Sequence, residues 1–403
     1  MNTTLAYLGA HAIIALVLAK MAAAGTILPP ISASPIVFAR KFFRAINEEE
    51  PLVNMVVSPA AARSGLTLAF MGAHGKAAEE LRAGLLLGVA KKPVIAKRHA
   101  EFWSKECTCS DRGVAMRLAT RLYVKDDEQL QPNFNQTAAE FFNAQADVLN
   151  LTNVDDAANR VNKWLEMQTF HTVRNLLTPA AFNDETSVIL VNSLYFRAKW
   201  DKRFPSERTK LKDFWINPEQ RMEIQMMRQE DQFKYGESKT LRSKIIILPF
   251  EESEVNMMII VPQDKDGLPA LEQKLQEMDL NEVAAKTIWK DVEVVLPRFK
   301  IECDLDLKVP LQKLGISRIF EPGADLSGIF LKRSETPQKI SEARQKLYLD
   351  VNESGCETDP DTAPDTGTMT ENPNRKQFKA DRPFVFAIRN NQTVYFVGHF
   401  VKP

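Results

Sequence analysis

The chain reads as an α+β protein with mixed β-sheets, and three kinds of stretch carry that reading. Lys346 to Asn352 (KLYLDVN) and Arg117 to Lys125 (RLATRLYVK) alternate apolar with polar residues, the period of half-buried strands. Phe384 to Ile388 (FVFAI) is the short apolar run of a fully buried strand. Val154 to Thr172 instead sets Val161, Trp164 and Leu165 on one face at helical spacing. With 403 residues, 44% of them apolar and 26% charged, the chain can bury a large core. Its 52 basic and 52 acidic residues cancel, so bulk charge points to neither nucleic acid nor a membrane surface. The interior holds no linker rich in Gly, Ser or Pro and no internal repeat.

Residues 1–24 have the pattern of a signal peptide. An apolar run from Leu5 to Ala19 is followed by Ala22-Ala23-Ala24, an A-x-A cleavage site before Gly25. The first residues lack Lys or Arg, and the alternative is an uncleaved anchor, for which the run is short. The expected product is secreted and extracellular. Secretion would open Asn-x-Ser/Thr sequons to glycosylation, and Asn135, Asn150 and Asn391 are the candidates. Asn352 also heads a sequon but ends a strand, where a sugar would foul sheet pairing.

Beyond the leader, Ser34 to Glu48 reads as a helix and Asn54 to Ser58 as a strand; Pro59 opens a helix running past Met71, proline being favoured in a first turn. Gly75 to Leu86 and Ile95 to Lys105 read as further helices, and Val188 to Phe196 as a long apolar strand ending near Trp200. The stretch around the second of these helices carries Lys91, Lys92, Lys97, Arg98, His99 and Lys105, ordinarily a solvated face. Of the cysteines, Cys107 and Cys109 form a Cys-x-Cys pair unlike zinc-ribbon or thioredoxin spacing. With Cys303 and Cys356 they are expected as buried thiols, the connectivity of any disulfide being open, and no metal or cofactor is expected.

The segment Ser354 to Asn374 separates two strands yet holds three prolines, two glycines and one large apolar side chain, Met369. It has no face to bury and is expected to be exposed and outside the central sheet. A loop this long in a compact domain is usually functional or disordered.

VNESGCET, followed about two dozen residues later by FKADRPFVFAI, resembles the serpin family of serine protease inhibitors. VNSLYFRAKWDKRF (Val191 to Phe204), VVLPRFKIECDLDLKVPLQKLGI (Val294 to Ile316) and FEPGADLSGI (Phe320 to Ile329) follow in the family's order. The resemblance spans about residues 34–403 and implies one domain of mixed sheets and about nine helices with an exposed reactive loop, residues 354–377. It implies inhibition of a serine protease that cuts the loop and is trapped when the loop's first half inserts into the central sheet. Glu353 and Gly355 match the hinge, Arg298 the basic partner of Glu353, and Ser58 and Asn192 polar residues beneath the sheet. Gln345 stands where the family has histidine, and Trp200 where the loop enters. Glu353 and Arg298 would form either a buried pair biasing the closed sheet or an ordinary, partly exposed one. Counting sixteen residues beyond Glu353 puts the reactive bond at Met369–Thr370, with Arg375 as the alternative. The basic helix lies where some members bind glycosaminoglycan, so Lys91, Lys92, Lys97 and Arg98 are candidates for weak polyanion contact. A monomer is expected, with no nucleic-acid partner.

The hinge departs from the inhibitory pattern. In place of Thr and a run of alanines, the chain has Cys356, Glu357, Thr358, Asp359, Pro360, Asp361, Thr362, Ala363 and Pro364. A proline removes a ladder N–H and belongs on sheet edges or at bulges. If each leaves a buried carbonyl unpaired, the two cost roughly 2 to 6 kcal/mol. Carried into the barrier, that slows insertion about 30-fold to 10⁴-fold. Trapping is therefore expected to be impaired, the alternative being a non-inhibitory member that binds, carries or serves as substrate. No constellation for catalysis is present: there is no G-x-S-x-G, H-E-x-x-H, G-x-x-x-x-G-K-[ST] or G-x-G-x-x-G, and His11, His74, His99, His171 and His399 are scattered.

Overall fold

The computed structural model describes residues 34–49, 52–107, 113–126, 128–332, 338–356, 372 and 374–403. Nine α-helices are found among them: α1 Ser34–Asn47, α2 Pro59–Gly72, α3 Gly75–Gly84, α4 Lys92–Glu106, α5 Pro132–Phe142, α6 Val154–Gln168, α7 Leu268–Leu275, α8 Leu280–Ala285 and α9 Lys308–Lys313. The strands are β1 Met55–Val57, β2 Val114–Lys125, β3 Ala146–Leu149, β4 Val188–Lys199, β5 Lys210–Trp215, β6 Arg221–Ser238, β7 Ser243–Pro249 and β8 Asn256–Pro262. They continue as β9 Ile288–Pro297, β10 Phe299–Asp306, β11 Ile340–Val351, β12 Gly355–Cys356, β13 Lys376–Lys379, β14 Phe384–Arg389 and β15 Val394–Phe400.

Two mixed sheets result. One runs β1-β15-β14-β8-β7-β6-β9-β13 with β5 paired to β6, and the other runs β10-β11-β12-β4-β2-β3. Every residue of β14 and β15 is buried, which is why FVFAI is apolar without alternation. Helix α2 starts where Ser58 accepts the Ala61 N–H on its hydroxyl and Pro59 takes the first turn. It is buried nearly all round, so its apolar residues show little one-sidedness.

Helix α6 is the amphipathic opposite. Asn153 caps it by accepting the Asp156 N–H, and Val161, Trp164 and Leu165 pack with Tyr123 and Val191 of the six-stranded sheet. It ends at Gln168, short of the Thr172 expected from spacing, because Phe170 (φ 50°) and His171 (φ 64°) turn left-handed. Strand β11 is longer than the alternating run, starting at Ile340. Its polar first half pairs in parallel with Val188 to Asn192 of β4, a partner supplied from 150 residues upstream that local pattern cannot reveal.

Candidate functional site: the hinge slot and the loop exit

Strands β4 and β11 run side by side as far as Asn192 and Gln345 and then part. The gap is filled by the chain itself. The Asn352 side chain accepts the N–H groups of Ser354 (3.0 Å) and Gly355 (3.3 Å), an Asx turn that folds the chain back on β11. Strand β12 then lies between the two, with Cys356 opposite Val351 of β11, and Gly355 and Cys356 opposite Lys199 and Ala198 of β4. Ser354, Gly355 and Cys356 are buried, Ser354 and Cys356 to 1% exposure. This corrects the expectation that Ser354 onward lies outside the sheet: strand pairing on both sides replaces the apolar face the segment lacks. The far end of the loop is corrected too, since Lys376 and Gln377 already belong to β13, parallel to β9.

Trp200 closes the slot. Its indole N–H donates to the Asn352 carbonyl (2.9 Å) and its backbone N–H to that of Ser354 (2.9 Å), while the ring stacks on Phe250 with centroids 4.8 Å apart. Phe204 N–H donates to the Glu353 carbonyl at 3.0 Å. The Glu353 carboxylate accepts from the Thr209 hydroxyl (2.7 Å) and faces Arg298 Nε at 3.4 Å, with side-chain exposures of 10% and 39%. Of the two readings of this pair, the structure has the partly exposed one, which solvent weakens. Thr209 was not legible as a hinge partner. Gly355 is obligatory, because its φ is +155° and a Cβ would come 1.9 Å from the Ala198 carbonyl oxygen.

Beneath the slot, Gln345 occupies the centre of a buried network. Its Oε1 accepts the Ser58 N–H (2.9 Å), and its Nε2 donates to the Ser58 carbonyl (3.1 Å) and to Asn192 Oδ1 (3.0 Å). Asn192 donates onward to the Thr120 hydroxyl (2.8 Å), and the Ser58 hydroxyl donates to the Tyr395 carbonyl (2.7 Å). One amide thus ties β11 to β4 and to the start of α2, and the amide's paired donor and acceptor make this possible. Replacing Gln345 with alanine strands the buried Ser58 N–H and Asn192 Oδ1, the Ser58 carbonyl keeping the Ala62 N–H, and is expected to cost roughly 2 kcal/mol or more, measured as a lower urea midpoint. Gln345→His, which keeps a donor and an acceptor, is expected to cost less.

Below Cys356, Leu194, Tyr195, Phe196, Tyr348 and Asp350 border a cavity of only about 10 Å³, room for one water at most. Cys356 itself joins the main core. The cysteines Cys107 and Cys303 lie elsewhere: Cys107 follows α4, and the Cys303 thiol sits by Val56 N–H (3.3 Å) and the Asn54 carbonyl (3.7 Å). Cys109, Asp359, Pro360, Asp361, Pro364, Met369 and Thr370 lie outside the described residues.

At the loop exit, Arg375 is held rather than presented. Its guanidinium pairs with Asp291 (2.8 Å) and Glu230, and Asn372 also donates to Asp291 at 2.5 Å. The arginine holds the Asp291 carboxyl below the usual carboxylate range. With its side chain 18% exposed, Arg375 is poorly placed as the alternative reactive residue.

The basic helix is also less basic outward than its sequence. Lys92 turns in, donating to the Met71 (3.0 Å) and Ala73 (2.6 Å) carbonyls at the end of α2, with its ammonium over the Phe70 ring. Lys91, Lys97 and Arg98 remain exposed, Lys97 facing Glu101 at 4.0 Å. His99 is enclosed: its Nδ1–H donates to the Phe141 carbonyl (2.8 Å), its Nε2 accepts from Ser64 (2.5 Å), and it stacks on Phe142. Burial lowers its pKa to about 4, so it folds neutral. Between the ordinary histidine value and about 4, the unfolded chain takes a proton that the folded chain refuses, and stability falls as pH falls. This should remove roughly 3 kcal/mol across that range, and a His99→Gln variant should show a flatter dependence of urea midpoint on pH. Of the sequons, Asn150 and Asn391 are exposed, while Asn135 is half-buried with its side-chain oxygen accepting the Ala146 N–H.

A large sheet that opens to take the start of its own loop defines a class, the loop-inserting protease inhibitors and their relatives. The family profile described as Serpin (serine protease inhibitor) matches residues 34–403, and this chain belongs to that family. It is 32% identical over 369 residues to Serine protease inhibitor 42Dd of Drosophila melanogaster, covering 91% of this chain and 95% of that one. Serpin48 of the insect Tenebrio molitor, described as highly specific, matches with TM-score 0.82 and 30% identity over 93% of this chain and 98% of its own. Human thyroxine-binding globulin with its ligand matches in fold alone, with TM-score 0.82 and 20% identity over 93% and 99% of the two chains.

Proposed function

We propose that the protein is a secreted serpin that offers its loop to extracellular serine proteases at Met369–Thr370, and that trapping is slowed at the acidic, proline-containing hinge. The register of β12 carries this reading. Continuing the pairing of Gly355 with Lys199 and Cys356 with Ala198 would set Pro360 opposite Leu194 and Pro364 opposite Leu190. Both would then sit inside a central strand and, being four apart, would remove N–H groups on the same edge. Glu357, Asp359 and Asp361 would share the opposite face from Cys356, the side on which Tyr348 packs against the α6 cluster.

Incubation with chymotrypsin, pancreatic elastase and trypsin tests it. The expected result is a loop cut with the protease turning over, and little SDS-resistant complex; near-stoichiometric complex would overturn the impairment. Secretion is tested by the N-terminal sequence of protein from conditioned medium, expected near Gly25, whereas Met1 on membrane-bound material would support the anchor.

A second reading, a carrier, is favoured by one observation. Between α1, α7 and the β14–β15 face lies an apolar cleft bordered by Ile36, Phe43, Leu275, Met278, Val385 and Val397. Human thyroxine-binding globulin, of the same fold, is seen in complex with thyroxine. Saturable enhancement of an apolar fluorescent dye, lost in Leu275→Arg, would support it.

A further inference from the structure

Between α2 and α4, beside the first turn of α1, lies a chamber of about 210 Å³, against about 10 Å³ beneath Cys356. Close-packed interiors leave few voids of this size, and this one has room for a ligand where the other has room for a water. Leu86, Ile95, Phe102 and Trp103 supply apolar walls. The chamber shares no bordering residue with the cleft between α1, α7 and the β14–β15 face.

Its charge is one-sided. Arg63 of α2 and Arg98 of α4 border it, and no Asp or Glu does. Arg63 is half-buried, with its Nε donating to the Leu85 carbonyl at 3.0 Å, and burial pushes its pKa down to about 10. A guanidinium drawn out of water attracts an anion more strongly than one in bulk solvent, because the medium around it screens less. Arg98 is exposed, and its guanidinium makes no hydrogen bond or ion pair among the described residues. Its basic neighbours are engaged: Lys97 faces Glu101, and Lys92 caps the carbonyls that end α2. His99, held between Ser64 and the Phe141 carbonyl, is neutral and gives the chamber a wall without a charge.

We infer that this chamber binds a small amphipathic anion, an arene carrying a carboxylate or sulfonate, with the ring system against Ile95, Phe102 and Trp103 and the head group at Arg63 and Arg98. A guanidinium fork suits such a head, since it can give two parallel N–H bonds to two oxygens. A long polyanion on this face would instead draw on Lys91, Lys97 and Arg98 alike, all three being exposed on one stretch.

Titration calorimetry on the intact protein tests the site with three probes: naphthalenesulfonate, uncharged naphthalenemethanol, and methanesulfonate, which has the head without the rings. Wild type is expected to bind one naphthalenesulfonate saturably with Kd below about 1 mM, and each of the other two at least about tenfold more weakly. Arg98→Gln should weaken the naphthalenesulfonate about tenfold, the loss of one charge-assisted pair, and leave naphthalenemethanol unchanged. Lys97→Gln and Leu275→Arg should bind all three probes as wild type does, the latter because it obstructs only the other cleft. Equal affinity for naphthalenesulfonate and either partial probe overturns the inference, as do equal losses in Arg98→Gln and Lys97→Gln, which would mark a polyanion surface. Loss of binding in Leu275→Arg would move the ligand to the other cleft and overturn it too, and so would no heat of binding from naphthalenesulfonate in wild type.

Discussion

Cut near Met369, the protein is expected to melt within about 5 °C of its intact form. In a loop-inserting inhibitor the cut frees the loop's first half to become a new central strand, and the cut form resists heat far better. Among the described residues β12 fills the slot as far as Cys356, and the cavity bordering Cys356 is only about 10 Å³, so a longer inserted strand needs β4 and β11 to part further. Parting them gains little when Pro360 and Pro364 would each leave a carbonyl unpaired, at roughly 1 to 3 kcal/mol apiece. Glu357, Asp359 and Asp361 would at the same time line up on the face where Asp350 already lies against Lys300 at 2.9 Å. Replacing Asp359, Pro360, Asp361 and Pro364 with alanine is expected to raise the melting temperature of the cut form by about 10 °C or more above intact. Melts followed by circular dichroism before and after cutting decide it. A large gain in the unsubstituted protein would show that the sheet tolerates both prolines, and the impaired-trapping reading would fail.

Gly355→Ala is expected to eject the hinge from the slot. A Cβ at that position meets the Ala198 carbonyl oxygen at 1.9 Å, on a backbone with φ +155° that side chains rarely adopt. Backbone atoms of a central strand cannot yield cheaply, so the two-residue strand should leave, at a cost of about 3 kcal/mol. The readout is Cys356, 1% exposed in the wild type. Its labelling by a thiol reagent in the native state should accelerate about 100-fold, in line with the shift in local opening. A Gly355→Ala, Cys356→Ser double variant identifies which thiol responded, because the fast phase should vanish in it. Unchanged labelling would mean that the hinge does not occupy the slot in solution.

The sequence by itself determined the class of fold and pointed to Glu353, Gly355 and Cys356 in the hinge. Alternation marked β2 and β11, the apolar run marked β14, and Val161, Trp164 and Leu165 marked the buried stripe of α6, because these patterns answer to burial of a face and need only local neighbours. Family resemblance then located Glu353, Gly355, Trp200, Ser58 and Asn192. Gln345 was legible as a group able to donate and accept, but its partners, Ser58 and Asn192, come from two distant segments.

Only the tertiary structure decided what each residue faces. Ser354 to Cys356 look like loop because they carry no apolar face, yet they are buried: two strands far apart in sequence satisfy their backbone, which no residue count can anticipate. Lys92 and Lys97 are alike on paper, but one caps carbonyls at the end of α2 and the other stands in solvent. Arg375 resembles a trypsin site on paper, and the structure pairs it with two carboxylates, on β6 and β9. The 57% exposure of Trp289 raised no signal at all, since a tryptophan in a strand is ordinarily core and exposure is a property of the assembled sheet. Periodicity reports which side of an element is buried; long-range pairing sets the hydrogen-bond partners, the charge partners and the surfaces left open.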